Sequence, residues 1–233
     1  MSINNIHMLH HHCIDCQIKS AAAKNLNSEE FEILETNSAQ VNFKKGEVIF
    51  KEGALSLNVA YLRSGIVKIH MLGPSREKIL RIVKAPSYLG IPITFGNKIN
   101  QYSATAIEDT SVCFIDSNYF RNFIYSNGKF AYEIIVDLCK NELKDYQRYT
   151  SQSQKQIPGL IAESLLCLSE QIYDNTHFNF PLTRSEFGDM VGTSRESVSR
   201  VLSDLSNEKI IELKGKEINI LRKDLLEKIS KSG

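Results

Sequence analysis

At 233 residues, 42% hydrophobic and 24% charged, the chain has ordinary globular composition and enough length for one or two cores. A formal net charge of +1 argues against both a polybasic nucleic-acid coat and a protein held to a membrane surface by charge. No apolar run approaches a membrane span, the first residues lack the apolar core of a secretory signal, and five irregularly spaced cysteines make no disulfide framework. A cytoplasmic, reducing setting is expected.

In chain order, an N-terminal segment (1–24) carries the run His10, His11, His12 and then Cys13 and Cys16 in "HCIDC". A C-x-x-C pair is open to several readings: cluster ligands, half a zinc site, a redox pair, or chance. The histidine run is a metal-binding tract or a polar terminus. Next, "NSEEFEILETNS" offers Ser28 as cap with Phe31 and Leu34 apolar, which predicts a short helix. Residues 41–116 hold short Val-, Ile-, Phe- and Tyr-rich runs punctuated by Gly46, Gly53, Gly65, Gly73, Gly90 and Gly96. Short strands with regular turn signals predict an antiparallel barrel or roll, within a sensor domain of 25–126. Cys113, on one of these strands, is a candidate ligand or a small buried hydrophobe.

A short helix over 117–124 and a long one over 127–152 follow. On the long helix Tyr132, Val136, Cys139, Leu143 and Tyr146 are spaced four, three, four, three, which is heptad spacing. A second stripe of Phe130, Ile134, Ile135 and Leu138 can pack on the roll. Two apolar faces predict one partner within the chain and a second copy outside it, a parallel homodimer; burial of both in a monomer is the alternative. Cys139 and Cys167 read as packing residues on apolar helix faces. Polar "TSQSQKQ" and Pro158 predict a hinge closing a 127–156 dimerisation segment, and a helix over 159–173 opens the last domain, 157–233.

In that domain Thr183 caps a helix bearing Phe187, Met190 and Val191 and ending at Gly192. Thr193 or Ser194 caps the next, over 194–206, whose Val198, Val201, Leu202 and Leu205 form a buried stripe. Arg195, Glu196, Ser199 and Arg200 share a different face near its start. "KIIELKGKEINIL" alternates apolar and polar residues as a small hairpin does. Cap, turn, helix and wing predict a winged helix-turn-helix whose second helix enters the DNA major groove. Thr183, Arg184, Thr193, Ser194, Arg195, Glu196, Ser197, Ser199 and Arg200 are the candidate DNA contacts. Arg pairs with guanine and Glu accepts from cytosine, each good bidentate pair being worth roughly 1–3 kcal/mol. Across 158–233 acids are at least as numerous as bases, so affinity must come from a dimer and specific contacts rather than diffuse attraction.

With these parts in order, the chain resembles the CRP/FNR family of bacterial transcription regulators over about residues 13–228. The anchors are "FKKGEVIFKEG", "LRSGIVKI", the long helix and "LTRSEFGDMVGTSRESVSRVLSDLSNEKIIELKGKEINI". The resemblance implies an α+β fold: a β-roll, a long dimerisation helix and a winged helix-turn-helix. It implies a homodimer on palindromic double-stranded DNA, with recognition helices about 34 Å apart, and RNA polymerase as a further partner. Positions matching Arg195, Glu196 and Arg200 read bases in the family, and the FNR branch adds one matching Ser199.

The resemblance is closer to the FNR branch than to the cyclic-AMP branch. Ile91 stands where the latter has a glutamate for the ribose and Tyr102 where it has an arginine for the phosphate, so no bidentate grip on a cyclic phosphate is expected. Cyclic AMP is not the expected effector. The FNR branch binds an iron–sulfur cluster through N-terminal cysteines and a barrel cysteine, to which Cys13, Cys16 and Cys113 correspond; Ala22 stands near the remaining ligand position. A cluster, zinc or thiol redox chemistry, and no metal at all stay open. An oxygen, redox or nitric oxide signal through these cysteines, relayed by the long helix to the recognition helix, is set against a small molecule or haem in the roll. Asp145, Tyr146 and Thr150 on or beside the heptad seam place the relay there. An enzyme is not expected, since no catalytic grouping, phosphate loop or zinc-protease helix is found; a scaffold with a degenerate helix-turn-helix is the remaining rival.

Overall fold

The computed structural model describes residue 16 and residues 18–232. Cys13 and the His10–His12 run lie outside the described residues. Two compact units divide the chain, one holding the residues up to Ile69 with Ile82–Asn141, the other His70–Arg81 with the residues from Glu142 onward.

The first unit begins with α1 (Ser28–Thr36). Its cap is Asn27 rather than Ser28: Asn27 Oδ1 accepts from the Glu30 amide at 2.9 Å and the Glu30 carboxylate accepts from the Asn27 amide at 2.8 Å. Both residues can cap, and Glu30 decides, because only from Asn27 is it the third helical residue of a reciprocal box. Eight strands follow: β1 (Ser38–Phe43), β2 (Val48–Phe50), β3 (Asn58–Ser64), β4 (Ile66–Leu72), β5 (Glu77–Lys84), β6 (Ser87–Leu89), β7 (Ser103–Ala106) and β8 (Thr110–Asp116). They form two four-stranded sheets, in the orders β1-β8-β3-β6 and β2-β7-β4-β5. Between β6 and β7 lies a helix that the sequence reading did not anticipate, α2 (Ile91–Gly96). Six residues are too few to display a helical period.

Next come α3 (Ser117–Ser126) and the long α4 (Gly128–Gln154). Phe120 and Phe123 of α3 and Phe130 and Ile134 of α4 are buried with Val59, Tyr61, Tyr88 and Ile115 in one cluster. Its rings meet edge to face, Tyr88–Phe120 at 5.5 Å and Phe120–Phe130 at 5.2 Å. Truncating either fully buried phenylalanine removes roughly 3–5 kcal/mol. One face of α4 is thereby tied to the roll, as its second stripe predicts, with one correction. Ile135 is 57% exposed and belongs to the opposite face, since the helix turns it away from Phe130 and Ile134.

The polar residues 150–154 are helical, not a hinge. Thr150 Oγ1 donates to Tyr146 O at 3.0 Å and Ser153 Oγ to Thr150 O at 2.9 Å, so hydroxyls that compete with the helix here bond back onto it. The break falls at 155–156, before α5 (Ile157–Cys167), which carries Pro158 in its first turn, where the missing amide costs nothing. α5 continues as a π-helical stretch, Leu168–Tyr173.

The second unit adds β9 (His177–Asn179), α6 (Arg184–Val191), α7 (Arg195–Asn207), β10 (Ile211–Lys214), β11 (Glu217–Ile220) and α8 (Lys223–Ser232). The expected hairpin is β10–β11, extended by β9 into a three-stranded sheet of order β10-β11-β9. Ile161, Leu165, Phe187, Val198, Leu202, Ile211, Ile218 and Leu226 form the unit's interior, each at most 1% exposed. Cys167, at the last turn of α5, is exposed, contrary to its reading as a packing residue, and Cys139 is exposed within the chain on the face of α4 turned away from the roll cluster.

Candidate nucleic-acid interface

The α6–α7 pair is built by two side-chain caps and two glycines. Thr183 Oγ1 accepts from the Glu186 amide at 3.2 Å while the Glu186 carboxylate accepts from the Thr183 amide at 2.8 Å, so α6 starts at Arg184. Gly192 ends it with φ +88°, a left-handed conformation that side chains resist. Gly188 sets the approach of the two helices. A β-carbon there would stand 2.6 Å from Thr193 O, so only glycine lets the turn pass. Of the two candidate caps for α7, Ser194 is the one used, accepting from the Ser197 amide at 3.2 Å.

With Val198, Val201, Leu202 and Leu205 turned inward, the opposite face is fixed by helical period. Ser194, Arg195, Glu196 and Arg200 are exposed on it, with Ser197 and Ser199 half-buried. The Glu196 carboxyl is held below its ordinary value by a backbone amide at the helix start, by the Ser194 hydroxyl and by Arg195. It is therefore a charged acceptor beside two guanidinium donors. Ser199 Oγ donates to Arg195 O at 3.0 Å, which leaves the oxygen its acceptor capacity. Arg184 lies at the first turn of α6 with its guanidinium 5.5 Å from the Phe180 ring centre. Burial lowers its pKa, and its Nη1 is buried with no hydrogen-bond partner among the described residues. Thr193 enters through its backbone, its carbonyl accepting from Arg76 Nη1 at 2.9 Å, a contact no sequence pattern signals.

On α4, Tyr132, Leu143 and Tyr146 are 64%, 61% and 59% exposed, Cys139 is exposed and Val136 half-buried. Ile135, expected on the roll-facing stripe, and Tyr149, which the heptad spacing does not include, extend this stripe at 57% and 74%.

At the N-terminal end of the described chain, Cys16 Sγ accepts from Arg63 Nη2 at 3.4 Å. Arg63 Nη1 also donates to Gln40 Oε1, and Cys113 pairs in register with both Gln40 and Tyr61. Burial raises the Cys113 thiol above its ordinary value, with Ser38 and Arg63 pulling the other way. Tyr61 Oη donates to Ile18 O at 3.0 Å, and Ser20 Oγ lies 2.7 Å from Tyr88 Oη, which fastens the segment to the sheet. Ala22, at the position corresponding to the further cluster ligand, is buried in the roll cluster and offers no donor. Among the described residues no group of three His, Cys, Asp or Glu side chains is placed to hold a metal. The described residues of the expected ligand set, Cys16, Cys113 and Ala22, supply two thiols of the four that such a cluster needs.

Residues 40–127 match the family described as the cyclic nucleotide-binding domain, and residues 161–229 match the Crp-like helix-turn-helix domain. The chain belongs to the CRP/FNR family of transcription regulators. This regulator is 27% identical over 216 residues to the transcriptional activator protein Anr of Pseudomonas protegens, covering 90% of this chain and 88% of that one. It is also 27% identical to the fumarate and nitrate reduction regulatory protein of Vibrio cholerae, over 90% and 86%. Both likenesses place it nearer the FNR branch. In fold it matches FixK2 from Bradyrhizobium japonicum with a TM-score of 0.76 at 19% identity, over 84% of this chain and 98% of that one. The β-roll, long helix and winged helix-turn-helix expected from the sequence are the family's architecture, and the chain is a DNA-binding transcription regulator.

Proposed function

We propose that this regulator reads a palindromic duplex as a homodimer, pairing through the exposed stripe of α4 and inserting one α7 from each copy into successive major grooves. The observation that carries the reading is the outward face of α7, where Arg195, Glu196 and Arg200 stand exposed beside a capped N-terminus. Arg195 and Arg200 suit guanine, Glu196 suits the cytosine amino group, and Ser194, Ser197 and Ser199 suit either edge. Thr183, Thr193 and Arg184 sit at the starts of the two helices, where backbone phosphate is met. It acts by binding, with no catalytic step, and RNA polymerase is the partner through which a bound regulator acts.

The test compares the full-length protein with Arg200→Ala on a duplex enriched by the wild type from a random pool, and on each single-base variant of one half-site. A loss of about 1–3 kcal/mol with relaxed preference at one position is expected. Uniform weakening across sequences makes Arg200 a phosphate contact instead.

The signal is assigned to the N-terminal segment. What favours this is the proximity of Cys16 to Arg63, on a sheet where Cys113 lies in register with Tyr61. Oxidants or nitric oxide acting on Cys13, Cys16 or Cys113 as thiols would alter that anchorage, with no four-thiolate cluster required. Cyclic AMP is disfavoured: Ile91 is buried at the start of α2, and Tyr102 packs on Phe50 with ring centres 5.8 Å apart. Loss of response on replacing Cys13 and Cys16 by Ser is expected; an unchanged response moves the signal to a ligand such as haem within the roll.

A further inference from the structure

The far end of the β4–β5 hairpin, His70–Arg81, groups with the DNA-binding unit, although both strands continue into the roll. Its tip is tight, closed by the Gly73 amide donating to Arg76 O at 2.9 Å. From it, Arg76 Nη1 donates to Thr193 O at 2.9 Å and lies 4.0 Å from the Asp189 carboxylate. Lys78 Nζ donates to Met190 O at 2.9 Å. The same carbonyl accepts from Gln152 Nε2, near the end of α4, at 3.3 Å.

These carbonyls lie in and just beyond the last turn of α6, where helix geometry leaves acceptors unpaired and the macrodipole favours cations. α6 carries no basic residue in its own last turn. The hairpin supplies the missing cations, and burial lowers the Lys78 pKa, which marks a charge partly withdrawn from water.

We propose that the hairpin is a releasable latch on the helix-turn-helix, with Arg76 and Lys78 as positioning residues, and that DNA docking requires it to let go. The proposal rests on the DNA-reading function above. Thr193 immediately precedes the Ser194 cap, so the tip lies within one arginine's reach of the end of α7 assigned to the bases. A major groove about 12 Å wide admits one helix, with phosphates along both margins. A hairpin tip seated on that end competes with the duplex for the same margin. Because β4 and β5 run on into the roll, whatever shifts the roll's sheet shifts the latched fraction. The contacts are few and partly exposed, which suits a restraint that a signal can undo.

The experiment measures binding of full-length wild type, Arg76→Ala, and Arg76→Ala with Lys78→Ala to the duplex that either wild type or double variant enriches from a random pool, over a salt series. A latch coupled at the usual strength of allosteric pairs makes the double variant bind about 5- to 150-fold more tightly, with an unchanged salt slope and a smaller gain for Arg76→Ala alone. Enrichment by the double variant only is the extreme form of the same result. Equal affinities overturn the latch. Weaker binding with a salt slope shallower by about one per lost contact overturns it too, since both residues are then phosphate contacts. If the double variant does not fold, the half-exposed Arg76→Ala decides by the same comparison. If neither wild type nor variant enriches any duplex, the DNA-reading function itself fails and the latch falls with it.

Discussion

Tyr61 is 8% exposed, and burial, with Cys16 nearby, pushes its pKa up to about 12; burial pushes Tyr88 up as well. Unfolded tyrosine titrates near 10. Both phenols are therefore protonated in the folded roll at pH values where an unfolded chain would ionise them. Their contribution is whole below pH about 10 and is lost as pH rises toward 12. A cooperative alkaline loss of roll structure in that window is expected, followed by tyrosinate absorbance together with near-ultraviolet circular dichroism. Titration of Tyr61 well below unfolding would contradict it. In the other unit, Gly188→Leu is expected to cost roughly 1–3 kcal/mol by overpacking against Thr193 O, read as a lower melting temperature and lost DNA binding. Thr183→Ala, which removes the cap of α6, is expected to cost about 1 kcal/mol of stability. The Thr183 and Ser194 caps are legible in sequence because capping is local. The Arg76 and Lys78 contacts are not, because their partners are backbone carbonyls more than a hundred residues away, which any sequence provides.

Elements with a long, clean period are legible in the sequence. The roll-facing and outward stripes of α4 and the buried stripe of α7 follow the 3.6-residue repeat over several turns, so Phe130, Ile134, Val198 and Leu202 are buried where expected. Short or contradictory elements are not. Three-residue β9 and six-residue α2 are below the length at which a period registers, and the hydroxyls of Thr150 and Ser153 mimic a loop while bonding back onto the helix. Ile135 leaves the roll-facing stripe although it adjoins Ile134, because adjacent helical positions diverge by about 100°. The exposed stripe of α4 makes a direct prediction. Leu143→Glu puts a charge into the proposed seam and forfeits the burial of a leucine in each copy, so dimer dissociation is expected to rise at least tenfold by sedimentation equilibrium. Tyr146, whose hydroxyl donates to Glu142 at 2.6 Å, holds a polar group on that seam. Tyr146→Leu is expected to tighten the dimer and blunt the signal response, whereas unchanged dimer affinity and response would remove the seam from the relay.

At the scale of the molecule, the chain holds a roll, a long helix with one exposed apolar face, and a helix-turn-helix whose turn is held, within its own unit, by Arg76 and Lys78 and by Gln152 of α4. Near-neutral charge makes specificity a matter of paired contacts rather than bulk attraction, so two-fold symmetry is the feature on which the rest depends. The most direct measurement is enrichment of duplexes from a random pool by the full-length protein, with the stoichiometry of the resulting complex determined by native mass spectrometry. Two copies on a palindrome, with half-sites about 10 base pairs apart centre to centre, are expected. An enriched site without two-fold symmetry, or a single copy on each duplex, would contradict the proposed homodimeric reading of DNA.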